Sequence, residues 1–252
     1  MRKVRKQTKK IEGELLSLRD SRKSIDEFNF TFLTNFSDNS RLMHTFVGED
    51  KNELFDVAFR QYLVFLVSCW ETFFRDLFVY VNTRDSDSIG KLIDEMKVNE
   101  DILDLSKITL PELLSKSFNF QNINDLESAY NSLWGANFLE SVCETTTKTC
   151  GINGKVAHGF SVNSLFANWH STITKVFNIR HKVVHDASYR PEIDIPFMQQ
   201  AEALFLLIPQ LATYFMAEKF SLKRVVLSND EFSVPYVFNM NDVISDDWEI
   251  IE

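Results

Sequence analysis

"SVNSLFANWHSTITKVFNIRHKVVH", Ser161 to His185, decides how this chain is read. Leu165, Phe166, Trp169, Ile173, Val176, Phe177, Val183 and Val184 recur at mostly three- and four-residue intervals. That spacing is one face of a helix, and Ser161 or Asn163 offers an N-cap oxygen at its start. One position in the stripe is not apolar. Arg180 stands where helical spacing demands a core residue, and His181 and His185 follow it.

Outward from this segment, the other long apolar runs also carry helical spacing. "VAFRQYLVFLVSCWETFFRDLFVYV", Val57 to Val81, lies in a run that predicts a helix over 52–81. Its stripe is Phe59, Leu63, Leu66, Trp70, Phe73 and Leu77, and its flanks are apolar too, so it is expected at the centre. Arg60, Glu71, Arg75 and Asp76 interrupt the run and argue against a membrane span. "IPFMQQAEALFLLIPQLATYFMAEKF", 195–220, predicts a further helix with Pro196 near its start and a kink at Pro209. Residues 8–30 carry Ile11, Leu15, Leu18, Ile25 and Phe28 at roughly helical spacing, and "NFSDNSR", 35–41, reads as a break.

Between the long runs, 85–97, 109–118 and 123–142 read as three shorter helices, the second with Pro111 in its first turn. Residues 143–161 are polar and glycine-bearing and read as an exposed loop. The tail from 221 is expected to form a short hairpin or to lie extended over the body.

Composition points the same way. The chain has 252 residues with 23 Phe but only 7 Gly and 5 Pro. Few turn residues imply few turns and long helices, so the expected class is all-α. Cys69, Cys143 and Cys150 make no disulfide framework, and the basic N-terminus lacks the apolar core of a signal peptide. A cytoplasmic protein that does not cross a membrane is expected.

Residues 1–23 hold nine basic against three acidic side chains, a local +6, so the rest carries −15 of the net −9. Residues 230–252 hold seven carboxylates and no Lys or Arg. Such a chain repels phosphate globally and meets nucleic acid only through a local patch.

Arg180 admits two explanations. An internal carboxylate, such as Glu71 on the other long helix, could neutralise it in the core. Alternatively its planar guanidinium faces a pocket or a subunit interface and receives an anion, for which phosphate is the best fit. His181 and His185 are four apart and share a helix face. "HKVVH" lacks the glutamate of a zinc-protease helix and has no evident third ligand, so no metal is expected. Arginine and histidine without a neighbouring Ser or Cys nucleophile suit phosphodiester chemistry. In RNA the nucleophile is the substrate's own 2′-hydroxyl, and the protein supplies proton transfer and charge stabilisation.

Arg180 followed by a polar residue and, five positions on, by His185 resembles the R-x4-6-H motif of the HEPN superfamily, in particular its RiboL-PSP-HEPN kind. "SCWETFFRDLF" resembles the family helix that carries a glutamate among aromatics, which maps onto Glu71. The resemblance is strongest over 52–82 and 161–220. It implies an all-α helical bundle, here with an inserted helical segment at 83–160 and an acidic C-terminal extension at 221–252, in a single domain. It also implies a metal-independent RNase that needs no cofactor and whose site forms between two protomers. Members serve as toxins or effectors in bacterial toxin–antitoxin and anti-phage systems, so RNA and an antitoxin or other defence protein are the implied partners. By residue, Arg180 would stabilise the phosphorane and His185 would move the proton. His181 would position substrate, Glu71 would hold Arg180, and Lys182 would touch the RNA backbone.

Two rivals stay open: a non-catalytic helical module that docks a partner protein, and a metal-dependent hydrolase. Other motifs fall short. "CGINGKV" has too few residues between its glycines for a phosphate loop, and Cys143, Cys150 and His158 match no zinc spacing. His44 and His170 stand singly, with no partner evident.

Overall fold

The apolar stripes fold as helices that meet around one aromatic seam. A computed structural model describes residues 24–46, 53–83, 109–134, 137–146, 159–186, 188–192, 194–221 and 237. Among them are eight helices: α1 Ile25–His44, α2 Glu53–Asn82, α3 Leu110–Ser115, α4 Ile123–Trp134, α5 Phe138–Glu144, α6 Val162–Leu165, α7 Trp169–His185 and α8 Ile195–Lys219. The fold class is all-α, as expected, and the central helix predicted over 52–81 is α2. No described helix is long and apolar enough to cross a membrane.

Four long helices make the body. α2 packs on α1, α7 and α8, and α8 packs on α1, α2 and α7. Trp70 of α2 is fully buried, and its ring lies 4.6 Å from Phe74, 6.0 Å from Phe177 of α7 and 4.9 Å from Phe205 of α8. One indole therefore joins three helices. Phe28 and Phe32 of α1 close on Phe73 at 5.7 and 5.1 Å. The high phenylalanine content goes into these edge and tilted contacts, each worth about 0.5–1.5 kcal/mol beyond burial. The shorter helices wrap this body: α3 and α4 pack on α2, and α5 packs on α8.

Three local expectations are corrected. Residues 35–41 do not break a helix; α1 runs straight through them. Phe32, Leu33, Phe36, Ser40 and Met43 are all buried there, and this packed stripe overrides the poor helix propensity of the intervening Ser, Asp and Asn. Ser24 caps the start by accepting the Glu27 N–H at 3.1 Å.

Second, Ser161 does act as an N-cap, but only for the single turn of α6; the chain then leaves helical geometry at Phe166 and restarts as α7. Third, 123–142 is two helices, split next to Asn137, which has φ 49°. α4 satisfies the free amides at the head of α5: Asn131 accepts from Phe138 N–H at 3.0 Å and Glu127 from Leu139 N–H at 2.9 Å. The Pro111 helix has the expected start, with Thr109 N–H donating to Glu112 at 2.7 Å.

The helix expected at 85–97, most of the 143–161 loop, the basic segment 1–23 and nearly all of the acidic tail lie outside the described residues. Val237 of the tail is an exception and is buried in the core.

One polar network crosses the body. Glu202 of α8 is 2% exposed. Tyr62 of α2 donates to its carboxylate, and His44 of α1 meets it at 3.2 Å. Because the Tyr62 hydroxyl proton is thereby committed, Ser40 donates to Tyr62, at 3.0 Å. Burial pushes the Tyr62 hydroxyl well above its usual range, and the nearby carboxylate adds to that. The hydrogen bond to Glu202 raises His44 above the usual 6.5, against the desolvation that would lower it.

A raised histidine stabilises the fold fully below its unfolded value and loses that contribution as pH climbs through the folded value. Melting temperature is therefore expected to fall as pH is raised above 6.5, and His44→Gln should flatten the fall. Parallel pH–Tm curves for wild type and H44Q would contradict this assignment.

Candidate active site at the end of helix α7

The site grows out of the way α7 faces two environments. Ile173, Val176 and Phe177 are buried, and Arg180 continues that side as a half-buried residue. His181, Lys182 and His185 are exposed. At 100° per residue, Arg180 and His185 stand about 140° apart around the helix. A single α7 therefore does not aim both groups at one point. Val184 lies between Arg180 and His181 around the helix and is 49% exposed. The imidazoles of His181 and His185 do share a face, with ring centroids 4.5 Å apart.

Arg180 has no hydrogen bond or ion pair among the described residues, and its Nε is buried without a partner. The expected pairing with Glu71 is not what the structure shows. Both Glu71 oxygens are engaged elsewhere: one accepts from Arg75, a turn along α2, and the other from the Gln121 side-chain amide. The Arg75 guanidinium also lies 5.9 Å from the Phe120 ring centroid. Glu71 thus ties the turn before α4 to α2. Local i,i+4 geometry decides this, because a partner one turn away on the same helix costs little chain entropy to reach.

The end of α7 is set by Asp186. Its carboxylate accepts the Ser188 N–H at 2.9 Å and the Ser188 hydroxyl at 2.6 Å. Those bonds hold its carboxyl below the usual range. Tyr189 N–H then donates to the Asp186 carbonyl at 3.1 Å, which turns the chain back along the helix. The Lys182 ammonium lies 5.4 Å from the Tyr189 ring centroid. Between this returning segment and the exposed face of α7 lies an open cavity of about 490 Å³, lined by Ser171, Asn178, Lys182, Tyr189 and Glu192 among others.

Among the described residues no three His, Cys, Asp or Glu side chains gather as a metal-binding group. Burial pushes the Cys69 thiol up to about 12, so it is no thiolate nucleophile.

The family model of RiboL-PSP-HEPN matches residues 19–201. This chain belongs to the RiboL-PSP-HEPN family. No curated protein and no solved structure matches it. The RiboL-PSP-HEPN match is wider at the front than the motif-based resemblance to 52–82 and 161–220. It takes in α1 and the whole 83–160 segment, and it stops inside α8.

Sequence reasoning missed the groove beside α7. Asn178 precedes His185 by seven residues, and this spacing alone places both on one helix face; the return of Tyr189 was not visible. His44 also has a partner after all, Glu202, which lies too far along the chain for any local pattern to reveal.

Proposed function

We propose that this RiboL-PSP-HEPN protein is a metal-independent endoribonuclease that acts as a homodimer. We further propose that it is a toxin or effector in bacterial anti-phage defence or a toxin–antitoxin system, with RNA and a restraining defence protein as partners. The observation that carries this reading is Arg180: a half-buried guanidinium with no counter-charge among the described residues, at the same helix end as two exposed imidazoles. An uncompensated buried cation is costly, and an incoming phosphate offsets that cost. Burial next to apolar side chains also makes such a charge more effective against the extra negative charge of a phosphorane.

The chemistry needs little else. The ribose 2′-oxygen attacks its own phosphorus, its proton passes to an imidazole, and the bond to the departing 5′-oxygen breaks as that oxygen gains a proton. His185 takes the proton-transfer role, His181 orients it or the substrate, and Lys182 offers charge to the backbone. The 140° between Arg180 and His185 on one helix is the reason for a second copy: two α7 ends facing each other bring the arginine of one toward the histidine of the other. Val184, exposed between them, supplies apolar contact for such a meeting.

Purified protein should cut single-stranded RNA in the presence of EDTA, leaving 2′,3′-cyclic phosphate ends. Absence of any cleavage across a panel of RNAs at high protein concentration would favour the partner-docking module. Cleavage that stops on chelation would favour a metal-dependent hydrolase.

A further inference from the structure

We infer that the groove between α7 and the returning Tyr189 segment seats an unpaired nucleobase of the RNA strand, next to the phosphate cut at His185. This rests on the RNase reading above and adds a specificity subsite to it. Residues seven apart on a helix return to within about 20° of one another. Ser171, Asn178 and His185 therefore form one stripe, whose first two members lie in the groove and whose third is the proton-transfer imidazole. Lys182 also lines the groove, and His185 is only about 4.5 Å further along the axis. Groove and imidazole are thus within one nucleotide's reach of each other.

The lining suits a base better than a bare phosphate. Tyr189 is half-buried, packed against the core and turned back along α7, so it offers an aromatic wall on which a base stacks once the exposed Lys182 ammonium, 5.4 Å from the ring centroid, swings to the phosphate. Glu192 lines the groove and repels phosphate, but its carboxylate accepts from an exocyclic amine. The Asn178 amide, exposed at the groove, can both give to and take from a base edge. Lys175 and Lys182, two turns apart and both exposed, line the groove and offer positive charge to the sugar–phosphate chain. Bases with an exocyclic amine, adenine, cytosine and guanine, match this set. Uracil has no exocyclic amine, and its one edge donor, N3–H, sits between two carbonyls that a carboxylate repels.

The test uses the full chain carrying His185→Ala, so that RNA is bound without being cut. Fluorescence anisotropy would measure its affinity for short labelled oligo(A), oligo(C) and oligo(U), with AMP as competitor. Adding Tyr189→Ala should weaken oligo(A) binding about tenfold, the usual worth of one base–aromatic stack, and Tyr189→Phe should retain it. Glu192→Gln and Asn178→Ala, both at exposed positions, should narrow the preference for oligo(A) and oligo(C) over oligo(U) without touching the fold. Equal binding by the parent, Tyr189→Ala and Glu192→Gln proteins would overturn the subsite. So would AMP competing better than oligo(A), which would assign the groove to a free nucleotide instead. If wild type cuts RNA while these variants bind unchanged, only the subsite falls; if wild type neither binds nor cuts RNA, the RNase reading falls with it.

Discussion

His185→Ala is expected to slow RNA cleavage by about 10²–10⁴-fold, the usual worth of a positioned acid–base group. The imidazole is exposed, and among the described residues its only ring contact is with the neighbouring His181, so the change should leave the melting temperature nearly untouched. Arg180→Ala should cost about 10²–10³-fold, as for a lost electrostatic stabiliser of the transition state. Arg180→Lys should recover only part of that, because a point charge lacks the planar fork.

Arg180→Ala should also not destabilise the fold as the loss of one partner of a core ion pair does, since no such pair is present among the described residues. A large drop in stability in Arg180→Ala, with cleavage unaffected, would mean that the guanidinium serves the core and not an anion. The composite site makes a further forecast. Mixing separately inactive Arg180→Ala and His185→Ala chains, unfolded and refolded together, should restore part of the activity. Only a heterodimer then holds one intact arginine and one intact histidine at the shared site. No recovery on co-refolding would count against that arrangement.

The second large effect concerns the frame that holds α7 in place. Trp70→Ala is expected to cost about 3–5 kcal/mol in urea unfolding. Trp70 has no exposed surface and touches Phe74, Phe177 and Phe205, so its loss opens a void where α2, α7 and α8 meet. Against a typical total of about 5–15 kcal/mol this is a severe loss. Phe177 lies less than one turn before Arg180, so the void also loosens the support of the guanidinium. Trp70→Phe keeps an aromatic ring in the seam and should cost clearly less. An alanine variant losing under about 1 kcal/mol would show that the three helices do not depend on this contact.

How much of this is legible in the sequence depends on the range of the interactions involved. The helix at 53–82 is readable because apolar residues at helical spacing run through it with apolar flanks, and only a central position buries such a helix. The cluster Arg180, His181, His185 is readable because a charge in an apolar stripe is conspicuous. The continuity of α1 through Ser37 to Ser40 is not, since those residues disfavour helix locally and only the burial of the stripe Phe32, Phe36, Ser40 and Met43 against the helices it packs on overrides this. The split of 123–142 at Asn137 is hidden too, because it depends on Glu127 and Asn131 capping the next helix.

Sequence by itself thus determined the all-α class, the central helix and the helix end that carries the arginine and imidazoles, since periodicity and a misplaced charge are local properties of the chain. Tertiary structure alone decided the pairings. Gln121 takes the second Glu71 oxygen from 50 positions away, and His44 finds Glu202 across 158 positions of chain. Tyr189 turns back to make a groove beside His185. Those choices rest on which side chains packing brings within about 3 Å of each other, and no spacing along the chain encodes that distance.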